Sequence, residues 1–141
     1  MSNQTTKRNG VVIGYGGMGN WHTRKIKNEM GEYAEFIGVY DINPERKKVA
    51  DENGIHFFSS REELLADERI DLVTIATPND VHKEIAIAAM EAGKNVISEK
   101  PVTLSSADLE EMIACAEKCG KLFTVHQNRR WDVDFLGMKQ I

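Results

Sequence analysis

The chain has 141 residues, 41% of them hydrophobic and 28% charged, with a formal net charge of −4. That size and balance suit one globular domain able to bury roughly 70% of the surface its unfolded chain exposes. Mild acidity without a basic stripe argues against nucleic acid or an anionic membrane as partner, and no run approaches the roughly 20 apolar residues of a membrane helix.

The first ten residues, "MSNQTTKRNG", carry a basic pair with no apolar run behind it, so they are not a signal peptide and read as a flexible arm over 1–9. A cytoplasmic location is the default that follows. Beyond the arm, short runs rich in Val, Ile and Phe alternate with stretches of helical period. Strands are predicted at Val11–Ile13, Glu35–Tyr40, His56–Phe58, Leu72–Ala76, Asn95–Ser98 and Leu122–His126. Helices are predicted over 17–30, 44–53, 61–67, 80–92 and 106–119. Asn43 is placed to cap a helix opening on Pro44, and Ser59, Asp80 and Ser105 are expected to open the next three. Ser105 and Asp108 have capping-box spacing. Gly31, Gly54, Gly93 and Gly120 stand where left-handed helix stops are expected.

Strand alternating with helix means βαβ units. The expected fold is therefore α/β, a doubly wound and mostly parallel sheet of about six strands. Leu72, Val73, Ile75 and Ala76 are nearly continuous apolar sequence, as a strand covered on both faces should be. From Arg129 onward the pattern does not close this domain. Asp132 or Asp134 could cap a helix beginning "FLGMKQI", which the chain leaves unfinished. Residues 10–128 thus read as one domain and 129–141 as the start of a second, absent one. A frayed tail is the alternative.

One stretch carries chemistry. "VVIGYGGMGN" follows the first strand and opens the first helix with G-x-G-x-x-G over Gly14, Tyr15, Gly16, Gly17, Met18 and Gly19. In a Rossmann fold Gly14 allows the tight turn, Gly16 lets backbone approach a pyrophosphate, and Gly19 lets the helix pack closely on the sheet. The helix N-terminus then offers free N–H groups and partial positive charge to the phosphates. Asp41 ends the second strand roughly 20 residues further on, where a carboxylate meets the ribose hydroxyls. A carboxylate there repels a 2′-phosphate, so NAD is expected as cofactor, with NADP less favoured; Arg46 or Lys47 could restore phosphate binding. The competing reading of Asp41 is a solvated residue beginning the "DINPE" turn.

Three further polar loops leave the carboxyl ends of strands: "ATPNDVH" (76–82), "SEKPV" (98–102) and "VHQNRRW" (125–131). Together with "GYGGMG" and the stretch "HQNRRWDVDF", they resemble the Gfo/Idh/MocA family of NAD(P)-dependent oxidoreductases, over about residue 9 to the end. The most specific part is the Glu99-Lys100-Pro101 triplet behind Thr77-Pro78-Asn79. The family adds a C-terminal α/β domain that supplies substrate contacts and most of the oligomer interface, which this sequence lacks. The resemblance implies that Lys100 is the catalytic residue, beside nicotinamide and substrate oxygen. The positive charge of an oxidised nicotinamide would lower its pKa toward exchange with an alcohol. It further implies that Glu99 positions the nicotinamide end, that the peptide before Pro101 is cis, and that Thr77, Pro78 and Asn79 line the cofactor groove. Asn128 and Arg130 border the nicotinamide, with a hinge or interdomain ion-pair role equally open.

The histidines outside this set have plain readings: His22 at the surface of the first helix, His82 fixing its loop, His126 a hydrogen-bonded structural residue. No spacing suits a metal. Cys115 and Cys119 share a helical face, where they read as reduced small apolar side chains rather than two ligands of four. The intact protein is expected to be a homo-oligomeric dehydrogenase of a sugar or polyol, with the present chain binding cofactor without turnover. A non-catalytic dinucleotide-responsive regulator and a methyltransferase-like adenosyl site are the alternatives, the latter leaving the EKP triplet unexplained. Trp131, Phe135 and Leu136 should leave an apolar surface, through which the chain could self-associate.

Overall fold

The computed structural model describes residues 7–139. Strand β1 (Arg8–Ile13) is followed by helix α1 (Gly17–Glu29), β2 (Ala34–Tyr40), α2 (Glu45–Glu52), α3 (Arg61–Ala66) and β3 (Leu72–Ile75). A 3-10 turn (Asn79–Val81) leads into α4 (His82–Glu91), then β4 (Asn95–Ser98), α5 (Ser106–Cys119) and β5 (Phe123–Val125). A second 3-10 turn (Asn128–Trp131) precedes α6 (Val133–Met138). No helix among the described residues is long and apolar enough to cross a membrane.

The sheet has five parallel strands in the order β2-β1-β3-β4-β5. The order in which strands are added reverses at β1, so β1 and β3 flank the switch point at which such sheets bind ligands. The expected strand His56–Phe58 shrinks to a single parallel bridge between Phe57 and Val39 on the outer edge of β2. Val39 N–H donates to the His56 carbonyl and Phe58 N–H to the Val39 carbonyl. The segment is confined by a turn at Gly54 and by the cap of α3, so no longer ladder forms. It can approach β2 because Gly38 has no Cβ: one would stand 2.6 Å from the His56 oxygen. At the other end, β1 starts at Arg8, whose N–H bonds the Tyr33 carbonyl.

Side-chain alternation along β1 divides the core in two. Val11 and Ile13 join Val73, Ile75 and Val96 beneath α4 and α5, with Met90 and Met112 fully buried there. Val12 faces the opposite layer with Ile26 of α1, Val39, Ala50 of α2 and Tyr15. Burying each such side chain is worth about 1.5–3 kcal/mol, which holds helices on both faces of the sheet.

The helix ends follow the sequence in most places. Ser105 Oγ accepts the Asp108 N–H at 3.1 Å, and Asn43 Oδ1 accepts the Glu45 N–H at 3.0 Å. Gly54, Gly93 and Gly120 adopt positive φ as stops, whereas Gly31 does not and lies in an ordinary turn. Two expected caps are corrected. Ser60, not Ser59, caps α3 by accepting the Glu63 N–H, while Glu63 reaches back to the Ser59 N–H at 2.8 Å. Asp80 makes no cap, since the 3-10 turn takes up that position and α4 begins at His82. At the carboxyl end Trp131, Val133 and Met138 are exposed, with Phe135 and Leu136 partly so.

Candidate cofactor site

The glycine loop is built as its spacing requires. Gly14 has φ of +92°, and a Cβ there would stand 2.6 Å from the Ala76 oxygen. Its N–H bonds the Tyr40 carbonyl at 2.8 Å, tying the loop to the end of β2. A Cβ on Gly19 would collide with the Gly14 carbonyl and press on Val12, so close packing of α1 depends on its absence. Gly16 and Gly17 differ: a Cβ there meets nothing within 4 Å, because both face open space. No side chain caps α1 and no acidic residue lies in its first turn. Those N–H groups are left for an anion from outside. Met18 is exposed beside them.

Tyr15 is placed otherwise. Its side chain is buried in the α1-side layer, burial raises its phenol pKa, and its N–H donates to Asp41 Oδ2 at 2.6 Å. Asp41 Oδ1 accepts the Asn43 N–H at 2.8 Å. The carboxylate is thereby oriented by two main-chain donors and keeps lone pairs for further hydroxyls.

Between the ends of β1 and β3 lies a cleft of about 540 Å³, with Gly14, Gly16, Asp41, Thr77 and Pro78 among its lining residues. Sequence reasoning missed other walls of the cleft, Ile42, Arg61 and Glu84 among them. Ile42 is 89% exposed, and Arg61 on α3 pairs with Glu84 of α4 at 2.7 Å. An apolar residue directly after Asp41 in a turn was the available signal for Ile42; Arg61 and Glu84 reach the cleft only through the packing of α3 and α4. The Thr77 hydroxyl is buried without a hydrogen-bond partner. An orphaned donor beside an uncapped helix start and a bare Gly16 fits a phosphate-bearing ligand. His82 fixes this loop as expected: fully buried, it donates from Nε2 to the Thr77 carbonyl (2.9 Å), and its Nδ1 lies 3.2 Å from Ser98 Oγ, which itself donates to the Glu99 carbonyl. Asn79, in the 3-10 turn, is half-buried and does not line the cleft.

A second cluster lies at the ends of β4 and β5. Glu99 is buried, and its Oε1 accepts His22 Nε2 at 2.7 Å and His126 Nδ1 at 2.9 Å, while Oε2 accepts the Lys100 N–H at 3.1 Å. Burial pushes the Glu99 carboxyl upward, but the bonds from both imidazoles and the Lys100 N–H outweigh it and hold it below the usual range. Burial lowers the His22 pKa, only partly offset by its bond to Glu99, and nearby His126 lowers it further. His22 is thus no surface residue: the α1 turn bearing it faces the sheet, and the carboxylate draws it inward. His126 is hydrogen-bonded, as expected. The Lys100–Pro101 peptide is cis and Lys100 is exposed. Asn128 and Arg130 are exposed on the second 3-10 turn, where the Arg130 guanidinium stacks on Trp131 at 5.2 Å. The Cys115 and Cys119 thiols are 3.9 Å apart, and burial raises the pKa of Cys115.

A parallel doubly wound sheet, a glycine loop opening α1 and a carboxylate ending β2 define a Rossmann dinucleotide-binding domain. The sequence pattern of an oxidoreductase family with an NAD-binding Rossmann fold matches residues 8–127. The chain belongs to that family, Gfo/Idh/MocA. Among solved structures, an NAD-binding protein from Listeria innocua is 48% identical with a TM-score of 0.91, over 96% of this chain and 40% of that one. The uncharacterized oxidoreductase YdgJ of Escherichia coli (strain K12) is 39% identical over 91% of this chain and 36% of its own length. The scyllo-inositol 2-dehydrogenase (NADP(+)) IolW of Bacillus subtilis (strain 168) is 32% identical over 92% of this chain and 36% of its own. The chain therefore spans well under half the length of these relatives.

Proposed function

We propose that the chain binds NAD across the carboxyl edge of its sheet, as the cofactor half of a dehydrogenase acting on a sugar- or polyol-like alcohol or ketone. The Tyr15–Asp41 bond carries this reading. It seats a carboxylate in the cleft beside Gly16, around which there is open space. The first-turn N–H groups of α1 and the Thr77 hydroxyl would hold the pyrophosphate, Asp41 the adenosine ribose hydroxyls, and Ile42 and Pro78 the adenine faces. NAD is favoured over NADP because Asp41 repels a 2′-phosphate. Of the two rescuing cations, Lys47 is already paired with Asp51 at 2.6 Å, and Arg46 is absent from the lining of the cleft.

Bound there, the dinucleotide supplies a carbon that accepts or gives a hydride. Glu99 holds the Lys100 main chain, and Lys100 exchanges a proton with the substrate oxygen. Glu99 and Asn128 border the nicotinamide end. An exposed Lys100 is open to water, so this chain alone is expected to bind cofactor without turnover, since hydride transfer relies on a dry, preorganised site. The relative IolW is named for scyllo-inositol, which supports a polyol-like substrate. Residues 10–128 form the cofactor domain in this reading, and 129–141 lead toward the substrate domain, which would also supply the contacts of a cytoplasmic homo-oligomer.

Calorimetric titration with NAD, NADH and NADPH tests the reading. Saturable binding of NAD or NADH, tighter than NADPH, is the expected result. No heat with any of them from demonstrably folded protein overturns it.

A further inference from the structure

Sequence spacing shows no metal site, yet the fold gathers three ligand-type side chains from α1, the end of β4 and the end of β5. His22 Nε2, Glu99 Oε1 and His126 Nδ1 all lie within 4.8 Å of one another. Both imidazoles aim at the same carboxylate oxygen, at 2.7 and 2.9 Å. The second carboxylate oxygen is fixed by the Lys100 N–H, the kind of outer contact that orients a metal-binding carboxylate. Trp21 packs against both rings, at 5.1 Å from His22 and 5.5 Å from His126.

We infer that His22, Glu99 and His126 form a binding site for a first-row divalent transition ion, Zn²⁺ foremost. Two imidazoles and one carboxylate suit Zn²⁺, Co²⁺ or Ni²⁺ better than Mg²⁺ or Ca²⁺, which prefer all-oxygen shells. Metal ligation needs neutral imidazole and ionised carboxylate. Zinc bonds of about 2.0–2.2 Å at a tetrahedral centre set ligand atoms roughly 3.3 Å apart. The two contacts to Glu99 would open by about half an ångström, and the two imidazole nitrogens, within 4.8 Å of each other, would adjust to the same spacing. A neutral imidazole that donates to Glu99 would carry that proton on its other ring nitrogen once the metal takes its place. His126 is the most exposed of the three, at 24% of its side chain. That side offers the entry path and a fourth position for water. None of this depends on the dinucleotide reading.

The test is titration of Co²⁺ alone into chelator-treated chain carrying Trp131→Phe, so that Trp21 is the remaining indole. Expected is one equivalent bound, with visible cobalt absorption, quenching of Trp21, and displacement by one equivalent of Zn²⁺. His126→Ala, at the rim, should weaken binding by at least about tenfold while leaving far-UV circular dichroism unchanged. His22→Gln should do the same where it folds, and the double variant Cys115→Ser/Cys119→Ser should bind as before. Absence of saturable binding below about 100 μM, a value corresponding to roughly 5.5 kcal/mol, overturns the site. So does binding indifferent to His126→Ala, or binding lost with the thiols.

Discussion

The main-chain N–H of Tyr15 donates to Asp41 Oδ2 at 2.6 Å, joining the glycine loop after β1 to the end of β2. One carboxylate thus shapes the loop and faces the cleft beside it. Asp41→Ala removes that bond and the one from Asn43. Charge-assisted bonds of about 1.5–3 kcal/mol correspond to roughly 10–150-fold in affinity, and NADH binding should weaken by that order. NADPH, relieved of repulsion, should lose much less. Calorimetry with both reduced nucleotides measures the ratio; an unchanged ratio would remove Asp41 as the selectivity element.

The glycines of the loop should separate into two kinds. Gly16 has ordinary backbone angles and open space around it, so Gly16→Ala is expected to shift the melting temperature by less than about 2 °C while reducing dinucleotide affinity. Gly19→Ala drives a methyl into the Gly14 carbonyl and forces α1 off the sheet. Overpacking costs about 1–3 kcal/mol, or roughly 3–10 °C in a domain of this size. Thermal melts and NADH titration of both variants distinguish a binding glycine from a packing glycine.

Local chemistry explains which features were legible in the sequence. The turn at Gly14, the cap at Ser105 and the apolar run of β3 depend on neighbours within a few residues, so the pattern revealed them. The strand expected at His56–Phe58 failed because the five residues between the Gly54 turn and the Ser60 cap form one bridge only. Ser59 and Ser60 are equivalent by propensity, and only the direction of the chain entering α3 chooses Ser60. His22 could not be placed, because its partner Glu99 is 77 residues away. The hydrophobic pattern of α1 marks a face but not the carboxylate beneath it.

Stability should fall on acidification, in two stages. His22 titrates below its ordinary value of 6.5 in the folded chain, so the unfolded chain takes that proton more readily, and stability declines as pH drops through 6.5. Glu99 lies below its ordinary 4.5, which adds a second loss of the same sign as pH falls through that value. Melting temperatures measured from pH 7.5 to 4 should therefore decrease throughout, and His22→Gln should flatten the upper part of the curve. A flat curve between pH 7 and 5 in the unmodified chain would contradict the assignment of a neutral buried His22.

Lys100 invites a different experiment, because its side chain is exposed while its main chain is anchored to Glu99. A protein joining this domain to the additional length its relatives possess is expected to oxidise a polyol-like alcohol with NAD. Lys100→Met should lower kcat by about 10²–10⁴-fold, the usual contribution of a positioned acid–base group. Dinucleotide affinity should stay within about threefold, because Lys100, after β4, is not among the residues lining the cleft beside Gly16 and Asp41. Glu99→Gln acts through the main chain instead. It weakens the hold on the Lys100 N–H and both imidazoles at about 1–3 kcal/mol per unsatisfied group, so stability and kcat should fall together. Steady-state kinetics with melts on the two variants separate the roles, and a Lys100→Met enzyme of undiminished kcat would remove this lysine from the proton transfer.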